Sequence, residues 1–310
     1  MAVMAFAVVI VALIYALFVI IKSLFIILIA VLILGLIYVW YVWRKTKNIL
    51  RSRRKKPDVS PRGYGIDFTE VSFAAEDNIE LKGWFLPKAD CTKTVIFLHG
   101  WGMNKADIFK YTNFLHADYN LFYFDFRAHG ESGGKESGVG MIEHKDLNAA
   151  LDFLKNNYPK AAENIALYGI SMGATVAANR AASDGKIKCV VLEAMYGHFT
   201  NAIRLWAWTH KKIPYFPTVP LVIFFMRKMI GADFEAVSPA SSAPKIKCHV
   251  LMIHGEFDNI APLADAKKVF GLIPAPKEMW VVPNALHATC HEAAGEEYKE
   301  KLSQFFKKNF

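Results

Sequence analysis

Cysteine is scarce and scattered: Cys91, Cys189, Cys248 and Cys290 are the only four, and no two form a C-x-x-C pair. That spacing excludes a disulfide framework and a zinc ribbon, and it fits reduced thiols in a cytoplasmic domain. Acidic residues are missing from the entire stretch up to Lys56. Repeats and nucleic-acid-binding motifs are also lacking, and the net charge of +9 does not argue for a nucleic-acid partner. Eight of those cations form one run, Arg44, Lys45, Lys47, Arg51, Arg53, Arg54, Lys55 and Lys56, and Lys22 is a ninth, so residues 57–310 are neutral overall.

Strongly polar side chains are nearly absent at the N-terminus. The chain is 54% apolar with a mean hydropathy of +0.21, and much of that excess lies in residues 1–43, where only Lys22 and Ser23 interrupt it. They divide the run into two blocks, 2–21 and 24–43, each about 20 residues and so long enough to cross a bilayer. One helix over all 43 residues would be about 64 Å long, roughly twice the hydrocarbon core. A lysine at the bilayer centre costs about 3 kcal/mol on insertion scales, whereas between two spans it reaches the headgroups. The pattern therefore predicts two spans turning at Lys22-Ser23, with one span plus an interfacial segment as the alternative. A cleaved signal peptide fits less well, since no basic residue precedes the run and no small-residue cleavage site follows it.

The cationic run marks a cytoplasmic flank, and Tyr38, Trp40, Tyr41 and Trp43 suit an interfacial aromatic belt. Residues 1–56 are accordingly expected to contact lipid, with the remainder of the chain facing the cytoplasm. Pro57 and Pro61 close a basic juxtamembrane segment, 44–63.

From residue 64 onward the chain alternates strand and helix. "DFTEVSFAA" and "IELKGWFL" flank Glu76-Asp77-Asn78 and predict a hairpin. "TVIFLHG", "NLFYFDF", "NIALYGI", "KCVVLEA", "HVLMIHG" and "EMWVVP" then read as buried strands. Helical spacing is expected over 142–156, 174–182, 263–270 and 292–306. Such alternation implies a mostly parallel sheet covered on both faces.

Gly169, Ser171 and Gly173 in "YGISMG" have the spacing G-x-S-x-G between a predicted strand and a helix of small residues. A sharp strand-to-helix turn exposes the serine hydroxyl above the sheet edge. With "LHGWGMN", "FDFRAHGESGG", "IHGEFDNIAP" and "NALH" in the same order, residues 64–310 resemble an α/β-hydrolase. The membrane-anchored, monoacylglycerol-lipase-like and serine-aminopeptidase-like branches are the most similar. The resemblance implies an eight-stranded, mostly parallel sheet with a helical lid over 198–247, and it requires no cofactor or metal.

The roles it implies have physical reasons. Ser171 attacks, His287 takes its proton, and Asp258 orients the imidazole and stabilises its charged form. The backbone N–H groups of Trp101 and Met172 would hold the oxyanion. Two alternatives stay open: Glu193, at the end of a strand, as the acid, and His291, one helical turn from His287, as the base or half of a zinc pair. His99, His254, Asp125, Arg127, His129 and Ser132 read as scaffold, and His144 as solvated surface. Leu205, Trp206, Phe224 and their neighbours in 198–247 suit either an acyl pocket or simple packing. The expected function is hydrolysis of an ester, thioester or related acyl bond. A peptidase with the same triad and a catalytically silent membrane scaffold are the competing readings.

Overall fold

The computed structural model describes residues 1–52 and 54–310; Arg53 of the cationic run lies outside the described residues. The chain divides into two compact units, Met1–Thr46 and Lys47–Phe310.

The first unit consists of most of helix α1 (Ala2–Leu50), which is unbroken through Lys22 and Ser23. The turn expected there does not form. Lys and Ser each cost only a few tenths of a kcal/mol relative to Ala inside a helix, and without Gly or Pro nothing terminates the hydrogen-bond ladder. At 49 residues the helix is about 74 Å long. Most of its apolar side chains are exposed, and it is long and apolar enough to cross a membrane. Near the cationic end the Arg44 guanidinium lies 5.5 Å from the Trp40 ring and the Lys45 ammonium 5.3 Å from Tyr41, cation–π pairs at helical i,i+4 spacing.

The second unit is built on a sheet that, among the described residues, has eight strands in the order β1-β2-β4-β3-β5-β6-β7-β8. β1 (Thr69–Ala74) and β2 (Glu80–Leu86) form the predicted antiparallel hairpin, and β2 also pairs antiparallel with β4 (Asn120–Phe124). All remaining neighbours are parallel: β3 (Lys93–Leu98), β5 (Asn164–Ile170), β6 (Ile187–Glu193), β7 (His249–Gly255) and β8 (Lys277–Val282). The placement of β3 explains why its residues Val95 to Leu98 are all apolar. Ile96 and Leu98 join the core beneath α3 (His144–Asn157), α4 (Met172–Ser183) and α8 (Leu263–Leu272), while Val95 and Phe97 join the opposite core beneath α2 (Lys105–Thr112) and α10 (Glu296–Asn309). Successive side chains of a strand point to opposite faces, so a strand covered on both sides carries no polar alternation.

Helix boundaries differ locally from the sequence expectation. α4 starts at Met172, directly after Ser171, and the C-terminal helix is split by Gly295, at φ 53°, into α9 (Cys290–Ala294) and α10. Residues 198–247 hold α5 (Phe199–Lys211), α6 (Thr218–Ile230), the short α7 (Pro239–Ser242) and a 3-10 turn. His144 is exposed as expected. Its neighbours Glu143 and Asp146 are not: both are buried, Asp146 against the Arg127 guanidinium at 2.6 Å and Glu143 beneath three donors of the loop before α3.

Candidate active site

The C-terminal ends of β3, β5, β7 and β8 converge on one region, because parallel strands carry their following loops to the same edge of the sheet. Ser171 follows β5 directly and sits at φ 52°, ψ −112°. A non-glycine residue in this region stores strain on the order of 1–3 kcal/mol, which the surrounding structure must hold. Its amide donates to the Glu193 carbonyl at 2.9 Å. The flanking glycines are required by space: a Cβ at Gly173 would lie 2.0 Å from the Leu98 carbonyl oxygen, and one at Gly169 would lie 2.4 Å from the Gly173 oxygen.

The serine, histidine and acid anticipated from motif order meet here. Ser171 Oγ lies 2.9 Å from His287 Nε2, and His287 Nδ1 lies 2.8 Å from Asp258 Oδ2. A carboxylate only accepts, so Nδ1 carries the proton and the neutral ring presents the Nε2 lone pair to the hydroxyl. The other Asp258 oxygen accepts from the amides of Ile260 at 2.9 Å and Ala261 at 2.7 Å. The carboxylate therefore organises its own loop while holding the ring. The two loops are pressed together at the backbone, since a Cβ on Gly255 would lie 2.5 Å from the Ala285 carbonyl oxygen.

Trp101 and Met172 flank the serine from two sides. Met172 is the first residue of α4, and a Cβ at Gly100, just before Trp101, would lie 3.6 Å from the Ser171 Cβ. Both residues line the cavity into which Ser171 opens, and Met172 begins the helix whose positive end lies beside the serine. His99 fixes the loop: its Nε2 accepts from the Phe126 amide at 3.0 Å and its Nδ1 donates to the Gly100 carbonyl at 2.8 Å. Burial holds this imidazole neutral, with its pKa lowered to about 3. His254, likewise lowered by burial, contacts the Ala261 carbonyl at 2.6 Å. Asp125 bonds the Lys105 ammonium at 2.7 Å and the Glu131 amide at 2.9 Å, and Ser132 Oγ donates to the Asp125 carbonyl at 2.5 Å. These residues serve as scaffold.

The two alternatives lie elsewhere. His291 stacks on Tyr111 with ring centroids 3.8 Å apart and does not reach Ser171, and among the described residues no group of three His, Cys, Asp or Glu side chains is placed to hold a metal. Glu193 is buried under the elbow, where its Oε2 accepts from Tyr168 and Tyr298, each at 2.5 Å. Burial, chiefly, raises its pKa above the ordinary 4.5, and the tyrosine bonds only partly oppose this. Because the folded state then holds this proton at pH values where the unfolded chain has lost it, stability is full below 4.5 and falls as pH rises through the folded value. Glu193→Gln should remove that slope. Thermal melts of both proteins between pH 5 and pH 8 check it, and parallel curves would contradict it.

A cavity of about 310 Å³ opens beside Ser171. Phe199, Ile203 and Trp206 of α5 line it together with Val139, Ile260 and Ile49. The aromatic residues of 198–247 therefore divide: Trp206 faces the cavity, whereas Phe224 and Trp208 are exposed on the outside. Ile49 was not legible from motif order, because it sits in the stretch that reads as a basic linker.

The fold and the convergence of loops at its sheet edge are those of the alpha/beta hydrolase family, and the family model of that description matches residues 95–297; the chain belongs to this family. Among proteins of similar sequence is YqkD of Bacillus subtilis, 28% identical over 190 residues that make up 60% of this chain and 62% of YqkD. Among solved structures, the Pyrococcus furiosus esterase Pf2001 superposes with a TM-score of 0.69 at 27% identity, covering 83% of this chain and 99% of that one. An acylaminoacyl peptidase of Pyrococcus horikoshii shares the fold at 16% identity, with a TM-score of 0.61 over 78% of this chain and 41% of its own. The chain is an esterase-like hydrolase by fold and neighbours.

Proposed function

We propose that this chain is a membrane-anchored serine hydrolase that cleaves an ester, thioester or related acyl bond through an acyl-enzyme. The observation that carries the reading is the bonded series Ser171, His287, Asp258 opening into an apolar cavity. In the proposed reaction Ser171 Oγ bonds to the acyl carbonyl carbon as its proton passes to His287 Nε2. The anion on the carbonyl oxygen is held by the amides of Trp101 and Met172. Collapse breaks the bond to the leaving group, which takes the proton from Nε2. Water, activated by the same nitrogen, then releases the acid and restores Ser171. Asp258 accepts from Nδ1 throughout and stabilises the imidazolium formed at each stage.

The apolar wall favours an acyl chain over a polar peptide. It supports the monoacyl-lipid side of the family likeness rather than the aminopeptidase side. α1 supplies the anchor, its basic end supports a cytoplasmic hydrolase domain, and α5 and α6 supply the lid.

Labelling the full-length protein in its membrane with a fluorophosphonate probe, followed by peptide mass spectrometry, tests the proposal. A single adduct on Ser171 is expected. No adduct would favour a silent scaffold, and an adduct on another serine would move the nucleophile.

A further inference from the structure

The segment that leaves α1 is attached to the hydrolase unit by directed contacts. Leu50 is buried, and its carbonyl accepts from the Ser137 amide at 2.7 Å. The Arg54 guanidinium donates to the Ser132 carbonyl at 2.6 Å and also to that of Gly134. Asn104, the cap of α2, donates to the Lys55 carbonyl at 3.0 Å, and the Lys55 ammonium meets Asp107 at 3.1 Å.

Two of these contacts hold the loop that carries Val139. Val139 sits at φ 52°, a conformation costly for a β-branched residue and maintained only where neighbours enforce it. Here the enforcement comes from two directions. Glu143 accepts from the Gly138 and Gly140 amides at 2.7 and 2.8 Å, and Leu50 and Arg54 grip the chain on the other side. Ile49 and Val139 both line the cavity beside Ser171.

We infer that Ile49, held in place by the contacts of Leu50 and Arg54, forms a fixed wall of the acyl pocket and sets the length of acyl chain it accepts; this rests on the serine-hydrolase reading above. Arg54 acts as a positioning residue through the Val139 loop.

The test is the chain-length profile of the full-length protein, in detergent micelles, on p-nitrophenyl esters from acetate to dodecanoate. Each methylene denied burial costs about fourfold in kcat/KM. Ile49→Trp should therefore lower the ratio of octanoate to acetate turnover by about ten- to twentyfold, and Ile49→Ala should move the optimum to longer chains. Arg54→Ala should raise KM for the long esters, with partial recovery in Arg54→Lys, which can still donate to one carbonyl. If the tryptophan variant does not fold, as read by circular dichroism, Ile49→Ala and Ile49→Met decide the matter. Unchanged profiles at Ile49, with turnover still abolished by Ser171→Ala, would overturn the wall alone. Turnover that survives Ser171→Ala would instead overturn the hydrolase reading beneath it.

Discussion

Ser171→Ala is expected to lower kcat on short esters by on the order of 10⁶-fold, the scale seen when the nucleophile of another serine hydrolase is removed. The remaining rate should still exceed that of water, because the Trp101 and Met172 amides and the cavity are unaffected. The fold should persist. Ser171 contributes its amide, not its side chain, to the bond with the Glu193 carbonyl, and alanine keeps that amide. Single-turnover assays and probe labelling check the result, and a loss below tenfold would place the reaction elsewhere.

Asp258→Asn should cost about 10⁴ in kcat, by analogy with other serine hydrolases that lose the aspartate behind the histidine. The side-chain amide of Asn can donate to Nδ1, which would place the ring proton on Nε2 and point it at the hydroxyl it should accept from. A second consequence concerns the loop. Oδ1 accepts from both the Ile260 and Ala261 amides, so an Asn that turns its amide group toward them loses two bonds. Glu193→Gln, whose carboxylate faces Tyr168 and Tyr298 rather than His287, should cost far less. Comparing kcat for the two variants ranks the acids, and the reverse order would transfer the role to Glu193.

Much of this site was legible because parallel strands turn linear order into convergence. "YGISMG", "IHGEFDN" and "NALH" are far apart in sequence, yet each follows a strand whose end lies on the same sheet edge. What was not legible falls into two kinds. His144 reads as solvated surface and is exposed, but its neighbours Glu143 and Asp146 are buried because nearby loop amides satisfy the first and Arg127 the second, and Arg127, nineteen residues before Asp146, leaves no local mark on the sequence around it. The continuity of α1 was missed for a different reason. Hydropathy reports what surrounds a helix, whereas propensity decides whether it breaks, and Lys22-Ser23 is polar enough to interrupt the first without ending the second. Ile49 joins both kinds, being an apolar residue inside a cationic run whose role depends on contacts made by Leu50 and Arg54.

Around Ser171 the ends of β3 and β5 and the start of α4 meet through main-chain atoms, with Gly173 against the Leu98 and His99 carbonyls and Gly169 against Gly173. No side chain acts as a spacer between them. The height of the hydroxyl above the sheet is therefore set by peptide dimensions, which do not vary between sequences, rather than by the volumes of core residues, which do. A structure with 27% identity can accordingly keep the same frame at a TM-score of 0.69. The cavity walls are of another kind, because there Ile49, Val139 and α5 contribute side chains.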